Sequence, residues 1–159
     1  MSSSPKPIKR SPELAPLSRE HHEGLLFVWK IRQGLKNKTN IAMINAYVLW
    51  FWKEILQHHM QKEEAIFLHL LPVDTYLLRM SEEHVVIKKL FEENEELNEV
   101  ALLDLASFIE KHIRFEEREL FPHLERTLTA IQLQKASQQL VPAPVCNKWQ
   151  DEFWIRKTT

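Results

Sequence analysis

The near absence of glycine is the feature of this sequence that most limits how the chain can fold. Only 2 of the 159 residues are glycine, so tight hairpin turns, which depend on positive φ angles, have little material. Leu, Glu, Lys, Gln and Ala, which favour helices, are plentiful. These features predict an all-α fold. The length and the hydrophobic content of 44% suit one domain with a single core.

Apolar residues recur at helical spacing along most of the chain and predict four helices. The expected helices cover about 17–36, 41–71, 75–97 or beyond, and 100–129. Ser18 and Gly34 suit the two ends of the first helix, and Pro72 ends the second. Pro122 is expected to kink the last third of the fourth helix. Because the connections are short, these helices predict an antiparallel up-and-down four-helix bundle within 17–140.

Both ends of the chain differ in composition from the helical part. Residues 1–16 combine four prolines with serines and basic residues, and they predict a flexible N-terminal arm. Residues 141–159 form a short C-terminal tail with an aromatic cluster of Trp149, Phe153 and Trp154. This cluster suits docking on the chain's own helices, which we favour, and also an anchor for a protein partner or a homodimer.

Charge and cysteine content exclude several classes of protein. The 21 basic residues nearly cancel the 22 acidic ones, so the chain lacks the positive field that binds nucleic acid or an anionic membrane. The apolar runs are shorter than the roughly 20 residues that span a bilayer. Cys146 is the single cysteine and is expected to be an idle thiol, and the N-terminus lacks the apolar run of a signal peptide. A cytoplasmic location is expected.

Each predicted helix places one histidine on its apolar side. These residues are His21, His59, His84 and His112. His22 remains an alternative to His21, because a small rotation of the first helix would exchange them. One turn after the histidine, the second and fourth helices each add an inward glutamate, Glu63 and Glu116, whereas Glu64 and Glu117 are expected to point away or sideways.

Two buried carboxylates need positive charge nearby, because burying an unpaired carboxylate is costly. No arginine lies one turn from either Glu63 or Glu116 on the inward stripe. Two divalent metal ions would balance both carboxylates and also accept the imidazole nitrogens. Mixed imidazole and carboxylate ligands suit iron, manganese or zinc, and two ions at the centre of a bundle favour iron.

The motif occurs twice in the chain. The string His59-x-x-x-Glu63-Glu64 is followed by an apolar pair, and His112-x-x-x-Glu116-Glu117 is followed by another. Each string also follows a helix with one inward histidine. This repetition indicates two duplicated hairpins and predicts a pseudo-twofold axis. Each metal would then receive two histidines, and both inward glutamates would bridge the two ions.

The ordered set of motifs resembles the hemerythrin-like (HHE cation-binding) domain family. The resemblance covers 17–129 and is most specific in the string from His112 to Pro122, His-x-x-x-Glu-Glu-x-x-Leu-Phe-Pro. It implies a non-heme diiron pair, oxo- or hydroxo-bridged, that meets dioxygen, peroxide or nitric oxide. The terminal ligands it implies are His21, His59, His84 and His112, and the bridging ligands are Glu63 and Glu116.

The sequence departs from the oxygen-carrying members of that family, whose third helix supplies two histidines one turn apart. Lys88 occupies the second of these positions. The departure predicts an open coordination position and argues against simple oxygen storage. Lys88 is interpreted either as a hydrogen-bond donor near the site or as a surface lysine. Glu119 and His123 also lie near the inward face of the fourth helix and remain alternatives as ligands or as supporting groups.

Two classes of function fit this interpretation. The first is a redox or gas-handling protein whose iron binds dioxygen, peroxide or nitric oxide, or is itself oxidised. The second is a metal- or oxygen-sensing module without catalytic turnover. The sequence leaves open whether the protein is an enzyme. A metal-free helical adaptor is the least favoured interpretation. The remaining aromatic residues, such as Trp29 and Trp52, are expected to pack in the core.

Overall fold

The computed structural model describes residues 9–140 and 149–155. All regular structure within these residues is helical, as the composition predicts, and it comprises five helices. They are α1 (Ala15–Lys36), α2 (41–70), α3 (Thr75–Glu92), α4 (99–127) and α5 (Ala130–Gln138). In this part of the chain, no helix combines the length and the apolar content that a membrane crossing needs. Cys146 and positions 1–8 of the predicted arm lie outside the described residues.

Two of the long helices contain a π turn. In α2, the turn Trp52–Leu56 joins the α-helical parts Ile41–Phe51 and Gln57–Leu70. In α4, the turn Glu116–Leu120 joins Glu99–Phe115 to Phe121–Thr127. A π turn holds one extra residue in the helix and is frequent at functional sites.

The irregularity expected at Pro122 takes the form of the second π turn. Proline has no N–H and its ring would clash with the carbonyl four residues earlier in a regular helix. The turn Glu116–Leu120 widens the helix just before this position, and helical structure continues to Thr127. The chain therefore keeps one long helix on both sides of Pro122.

The third helix is shorter than the sequence pattern predicts, because it ends at Glu92 and not near Leu97. Four of the residues at 92–96 are acidic, and negative charge is unfavourable at the C-terminal end of a helix. Asn45 then fixes the non-helical connection. Its side chain accepts a hydrogen bond from Leu97 N (2.8 Å) and donates one to Leu97 O (2.9 Å).

The apolar pattern does not predict the fifth helix as a separate element. Helix α4 ends at Thr127, and Thr129 starts α5 with a capping box. Its side chain accepts from Gln132 N, and the Gln132 side chain accepts from Thr129 N. Two backbone N–H groups that a helix start leaves unpaired are satisfied in this way.

The helices enclose two apolar clusters with a polar layer between them. Helices α1 and α3 each pack against both α2 and α4. The larger cluster includes Ile87 and Ile109, and the smaller one includes Met80 and Phe115. In α3, His84 lies between Met80 and Ile87 along the helix. The polar residues therefore interrupt a continuous apolar interior.

The aromatic tail docks on the chain's own helices, in agreement with the interpretation we favour. Phe153 is buried in the larger cluster, and the Trp149 ring lies 5.6 Å from that of Tyr47. Gly34 permits the approach, because a Cβ there would stand 2.6 Å from a ring atom of Phe153. The expectation for Trp29 is wrong, since it faces outward and is 48% exposed.

The chain before α1 is ordered against the helices from residue 10 onward. Leu14 is fully buried in the smaller cluster. Arg10 and Ser11 make hydrogen bonds to side chains of α4. The part of the predicted flexible arm at 9–16 that the structure describes therefore packs on the helical body.

Candidate metal centre

Six side chains from four helices meet in the polar layer. They are His21 of α1, His59 and Glu63 of α2, His84 of α3, and His112 and Glu116 of α4. Each is at most 5% exposed. These are the six site residues that the sequence predicts, and the structure brings all of them together. Of the two histidines left open in the first helix, His21 lies in the layer and His22 is exposed.

Helical spacing sets the geometry within α2 and α4. His59 Nε2 lies 3.0 Å from Glu63 Oε1, and His112 Nε2 lies 2.9 Å from Glu116 Oε1. In both cases the two residues are four positions apart, so they lie one above the other on the same face.

The histidines of α1 and α3 reach the same glutamates from other helices. His21 Nε2 lies 2.8 Å from Glu116 Oε2 and 3.8 Å from Glu63 Oε2. His84 Nε2 lies 3.3 Å from Glu116 Oε1 and 3.5 Å from Glu63 Oε1. All four imidazoles therefore direct Nε2 toward the two carboxylates.

The layer divides into two groups that could each hold a metal ion. The first contains His21 and His59, and the second contains His84 and His112. Glu63 and Glu116 belong to both groups, and the candidate ligand atoms of each group lie within 4.8 Å of one another. We call Glu63 and Glu116 the shared glutamates. The arrangement has two histidines on each side of a pair of carboxylates.

Several atoms of the layer lie within ion-pair distance of one another but make no hydrogen bond of normal geometry, which tests whether the residues suit a metal. The atoms without such a hydrogen bond are His21 Nε2, His59 Nε2, His112 Nε2, both carboxylate oxygens of Glu63, and Glu116 Oε2. Polar atoms buried without partners are rare, because each loses its contacts with water. All of these atoms are potential metal ligands, and nitrogen with oxygen donors suits iron, manganese or zinc. The residues therefore fit a metal centre.

A second set of carboxylates holds the outer nitrogen of each imidazole. His21 Nδ1 donates to Glu117 (2.6 Å) and His59 Nδ1 to Glu20 (2.7 Å). His84 Nδ1 donates to Glu64 (3.2 Å) and His112 Nδ1 to Glu83 (3.0 Å). We call Glu20, Glu64, Glu83 and Glu117 the outer carboxylates. Such bonds orient a ligating imidazole and fix its tautomer.

The outer carboxylates follow a cyclic order around the four helices. Those of α1, α2 and α3 each bind the histidine of the next helix, and Glu117 of α4 binds His21 of α1. The apolar pattern does not reveal this role, because it predicts that Glu64 and Glu117 point away or sideways. A signal was present, because each outer carboxylate is adjacent in sequence to one of the six layer residues.

The electrostatics of the layer favour protonated imidazoles when no metal neutralises the glutamates. Burial lowers the pKa of His59, but the charge of Glu63 and the bond to Glu20 outweigh it and raise this pKa to about 10. The same balance of burial and carboxylate contacts raises the pKa of His84 to about 11 and that of His112 to about 9. A metal ion at the layer would take the place of these protons.

Burial would raise the pKa of Glu116, but His112, His21 and His84 hold it well below its ordinary value. The pKa of His21 is likewise raised, since contacts with Glu116 and Glu117 outweigh the effect of burial. The layer thus keeps a carboxylate ionised in a buried position. That is a property a cation site requires.

Three residues that the sequence left open lie outside the layer. Lys88 is exposed on α3, which favours the interpretation as a surface lysine. Glu119 is also exposed and lies 3.5 Å from Arg79. His123 Nε2 lies 2.6 Å from Asp74, near the start of α3. None of the three joins the two groups of candidate ligands.

A small apolar cavity of about 10 Å³ borders the layer beside His21, His59 and His112. Its other lining is largely apolar and includes Ile55 and Ile87. A space of this size holds about one water-sized molecule. Only a ligand of very few atoms could therefore approach the shared glutamates from this side without movement of the helices.

The described residues form an all-helical chain with buried His/Glu groups that could bind metal, which is compatible with a hemerythrin-like domain. Comparisons with known protein families, curated proteins and solved structures each gave no match.

Proposed function

We propose that the protein is a hemerythrin-like four-helix bundle that binds two metal ions in its polar layer. His21 and His59 would hold one ion, and His84 and His112 the other. The shared glutamates would bridge the two ions. The observation that carries the proposal is that two buried groups of candidate ligands have both carboxylates in common and leave most of their inward atoms without hydrogen bonds.

Iron is the metal we propose, with manganese and zinc as alternatives. Four imidazoles and two carboxylates provide the mixed nitrogen and oxygen donors that non-heme iron accepts, and paired ions within a helical bundle are typical of such centres. An iron pair would supply redox chemistry with dioxygen, peroxide or nitric oxide.

The chain's own residues would hold the ions, orient the ligands and restrict access to the centre. The shared glutamates would contribute carboxylate oxygens to both positions. The outer carboxylates hold each Nδ1, so that Nε2 faces inward. Apolar side chains such as Ile55 and Ile87 line the small cavity beside the layer, so that only small molecules could enter and bulk water would be excluded. These features suit a centre that handles a ligand of two or three atoms.

Metal analysis of the purified protein tests this proposal. We expect about two irons per chain and a charge-transfer band that bleaches on anaerobic reduction and returns in air. His21→Ala and His22→Ala form a matched pair, because the first residue lies in the layer and its neighbour is exposed. Only His21→Ala should lower the metal content. A wild-type chain that takes up no metal on reconstitution would refute the proposal.

A second candidate function is metal or oxygen sensing without turnover. The observation that favours it is that Arg10, outside the helices, contacts the outer carboxylate Glu117. Such a contact offers a route from the layer to the N-terminal segment. Repeated consumption of peroxide or repeated oxidation of Fe(II) would identify an enzyme. A change in stability or N-terminal exposure on metal loading, without such consumption, would identify a sensor.

A further inference from the structure

Arg10 precedes the first helix, yet its side chain is only 8% exposed. Its Nη1 pairs with the carboxylate of Glu125. Its Nη2 donates to the backbone carbonyl of Glu117 (2.5 Å) and to the carboxylate of the same residue (3.0 Å). The guanidinium also lies over the Phe121 ring, 5.2 Å from its centre. One side chain therefore contacts three residues of α4.

Two of those three residues also contact His21. Glu117 accepts the hydrogen bond from His21 Nδ1 at 2.6 Å. The Phe121 ring stacks on the His21 ring, with 5.2 Å between centres and 14° between planes. Arg10 is thus connected to this histidine by a polar route and by an aromatic one.

The backbone contact depends on the π turn of α4. Within that turn, Phe121 N–H donates to Glu116 O, five residues earlier. Pro122 has no N–H with which to serve the next carbonyl, that of Glu117. Arg10 donates to this carbonyl instead. The guanidinium fork can serve a carbonyl and two carboxylates at once, which a lysine ammonium cannot do with the same fixed geometry.

The main chain next to Arg10 is also anchored. Ser11 N donates to Glu125 Oε2 at 2.7 Å, and Leu14 is fully buried one turn later. Other outer carboxylates take their cations from within the helices. Glu20 pairs with Lys62 of α2, and Glu83 pairs with Arg79 of its own helix α3. Glu117 differs because its cation comes from the segment before α1.

We propose that Arg10 is a positioning residue for the metal position formed by His21 and His59. It fixes Glu117 and Phe121, and through them it fixes the direction of the His21 ring. Release of Arg10 would loosen this position and leave the one formed by His84 and His112 intact. The inference rests on the proposed two-metal function. It adds that a residue of the N-terminal segment determines the affinity of one of the two positions.

The test compares Arg10→Ala with Lys9→Ala, a change at the neighbouring exposed residue. Both variants and the wild type are loaded with Fe(II) under anaerobic conditions, and in parallel with Co(II) as an optical probe. Binding is measured by competition with a coloured chelator. We expect one of the two metals to bind about 10- to 100-fold more weakly in Arg10→Ala, as for the loss of a group that orients a ligand. The other metal and the whole Lys9→Ala protein should match the wild type.

Two additional variants separate positioning from general stability. Arg10→Lys should restore only part of the lost affinity, because it keeps the charge but not the fork. Glu125→Gln weakens the anchor of Arg10 and Ser11 without changing Glu117, so it should lower the affinity for the same metal. This variant keeps the inference testable if Arg10→Ala fails to fold. The Co(II) spectrum should change for one metal and not for both.

The outcomes distinguish this inference from the proposed function. Two metals bound with wild-type affinity in a folded Arg10→Ala protein would overturn the role of Arg10 alone. Equal weakening of both metals would also overturn it, because it would indicate a general loss of stability. A wild-type chain that binds neither Fe(II) nor Co(II) would overturn both the inference and the proposed function.

Discussion

The two histidine pairs have equivalent places in a repeated motif, but their surroundings differ. On the side of His21 and His59, the outer carboxylates Glu117 and Glu20 meet the partly buried cations Arg10 and Lys62. On the other side, the outer carboxylate of His84 is 39% exposed, and the cation next to the outer carboxylate of His112 is 51% exposed. The two halves are therefore alike in the six layer residues and differ in the burial of the outer carboxylates and of the cations that pair with them.

The π turns differ between the halves as well. In α2 the turn ends at Leu56, three residues before His59. In α4 it begins at Glu116 and follows His112. The two strings of sequence are therefore alike where they face the layer and unlike in the helices that carry them. Variants in equivalent positions should reveal how far the two proposed metal positions are independent.

The largest effect is expected from a shared glutamate. Glu116→Gln removes a charge that both groups of candidate ligands use. We expect the chain to retain almost no metal after desalting, because both positions lose a carboxylate. Elemental analysis measures this directly. Glu119→Gln is the control, since that residue is exposed on the same helix, and a Glu116→Gln protein with full metal content would contradict the shared role.

Single histidine variants should separate the two positions. His59→Ala is expected to leave about one metal per chain, held by the opposite pair, and His84→Ala should do the same for the other position. Equilibrium dialysis followed by metal analysis gives the content. His58→Ala is the matched control, because this neighbour of His59 is exposed. Loss of both metals in each variant would show that the positions fill only together.

The pH dependence should have opposite signs with and without metal. The pKa values of His59, His84 and His112 are raised from 6.5 to about 10, 11 and 9. In chelated protein, the stability from their carboxylate contacts is fully present below pH 6.5 and is lost as the pH rises through about 9 to 11. Metal competes with the same protons, so its affinity should increase over that rise.

Thermal unfolding of chelated and metal-loaded samples across this pH range checks both signs. The melting temperature of chelated protein should fall as the pH rises above neutral, while the gain on adding metal should grow. Metal binding near neutral pH should also release protons into a weakly buffered solution. A gain on metal loading that shrinks as the pH rises would contradict the assignment of these histidines.

Smaller effects are expected from the outer carboxylates. Glu117→Gln should weaken one metal by about 10- to 100-fold, because it disturbs the hydrogen bond that orients His21. Glu64→Gln should lower the metal affinity by less, since this side chain is more exposed and its bond to His84 is longer, at 3.2 Å. Metal competition experiments on the two variants measure the difference. Equal losses of affinity would show that the outer carboxylates contribute equally to the two histidine pairs.

The helices and the six layer residues could be predicted because they depend on periodicity and on the cost of burying charge. Glu63 and Glu116 have to lie inside if the apolar stripes do, and buried carboxylates require a cation. The angle of His21 on the helix also favours it over His22. These are local properties of single helices, and the structure places those residues as the spacing predicts.

The outer carboxylates could not be predicted by the same reasoning, because each one belongs to a helix other than that of its histidine. Glu64 points away from its own helix's apolar side and reaches His84 on α3. Arg10 likewise lies in a segment whose composition predicts flexibility, and it becomes ordered through contacts with α4. The π turns are a third case, since the sequence pattern alone does not show where a helix holds one extra residue.

The cyclic order of the outer carboxylates has a consequence for how such a site can be divided. A hairpin of α1 and α2 contains one complete pair, Glu20 with His59, and leaves His21 without its acceptor and Glu64 without its donor. The hairpin of α3 and α4 likewise contains one complete pair, Glu83 with His112. It leaves His84 without its acceptor and Glu117 without its donor. Two identical hairpins related by a twofold axis would therefore complete each other. The smallest unit in which every one of these histidines has its outer carboxylate is a pair of hairpins, and the present chain supplies both hairpins in one polypeptide.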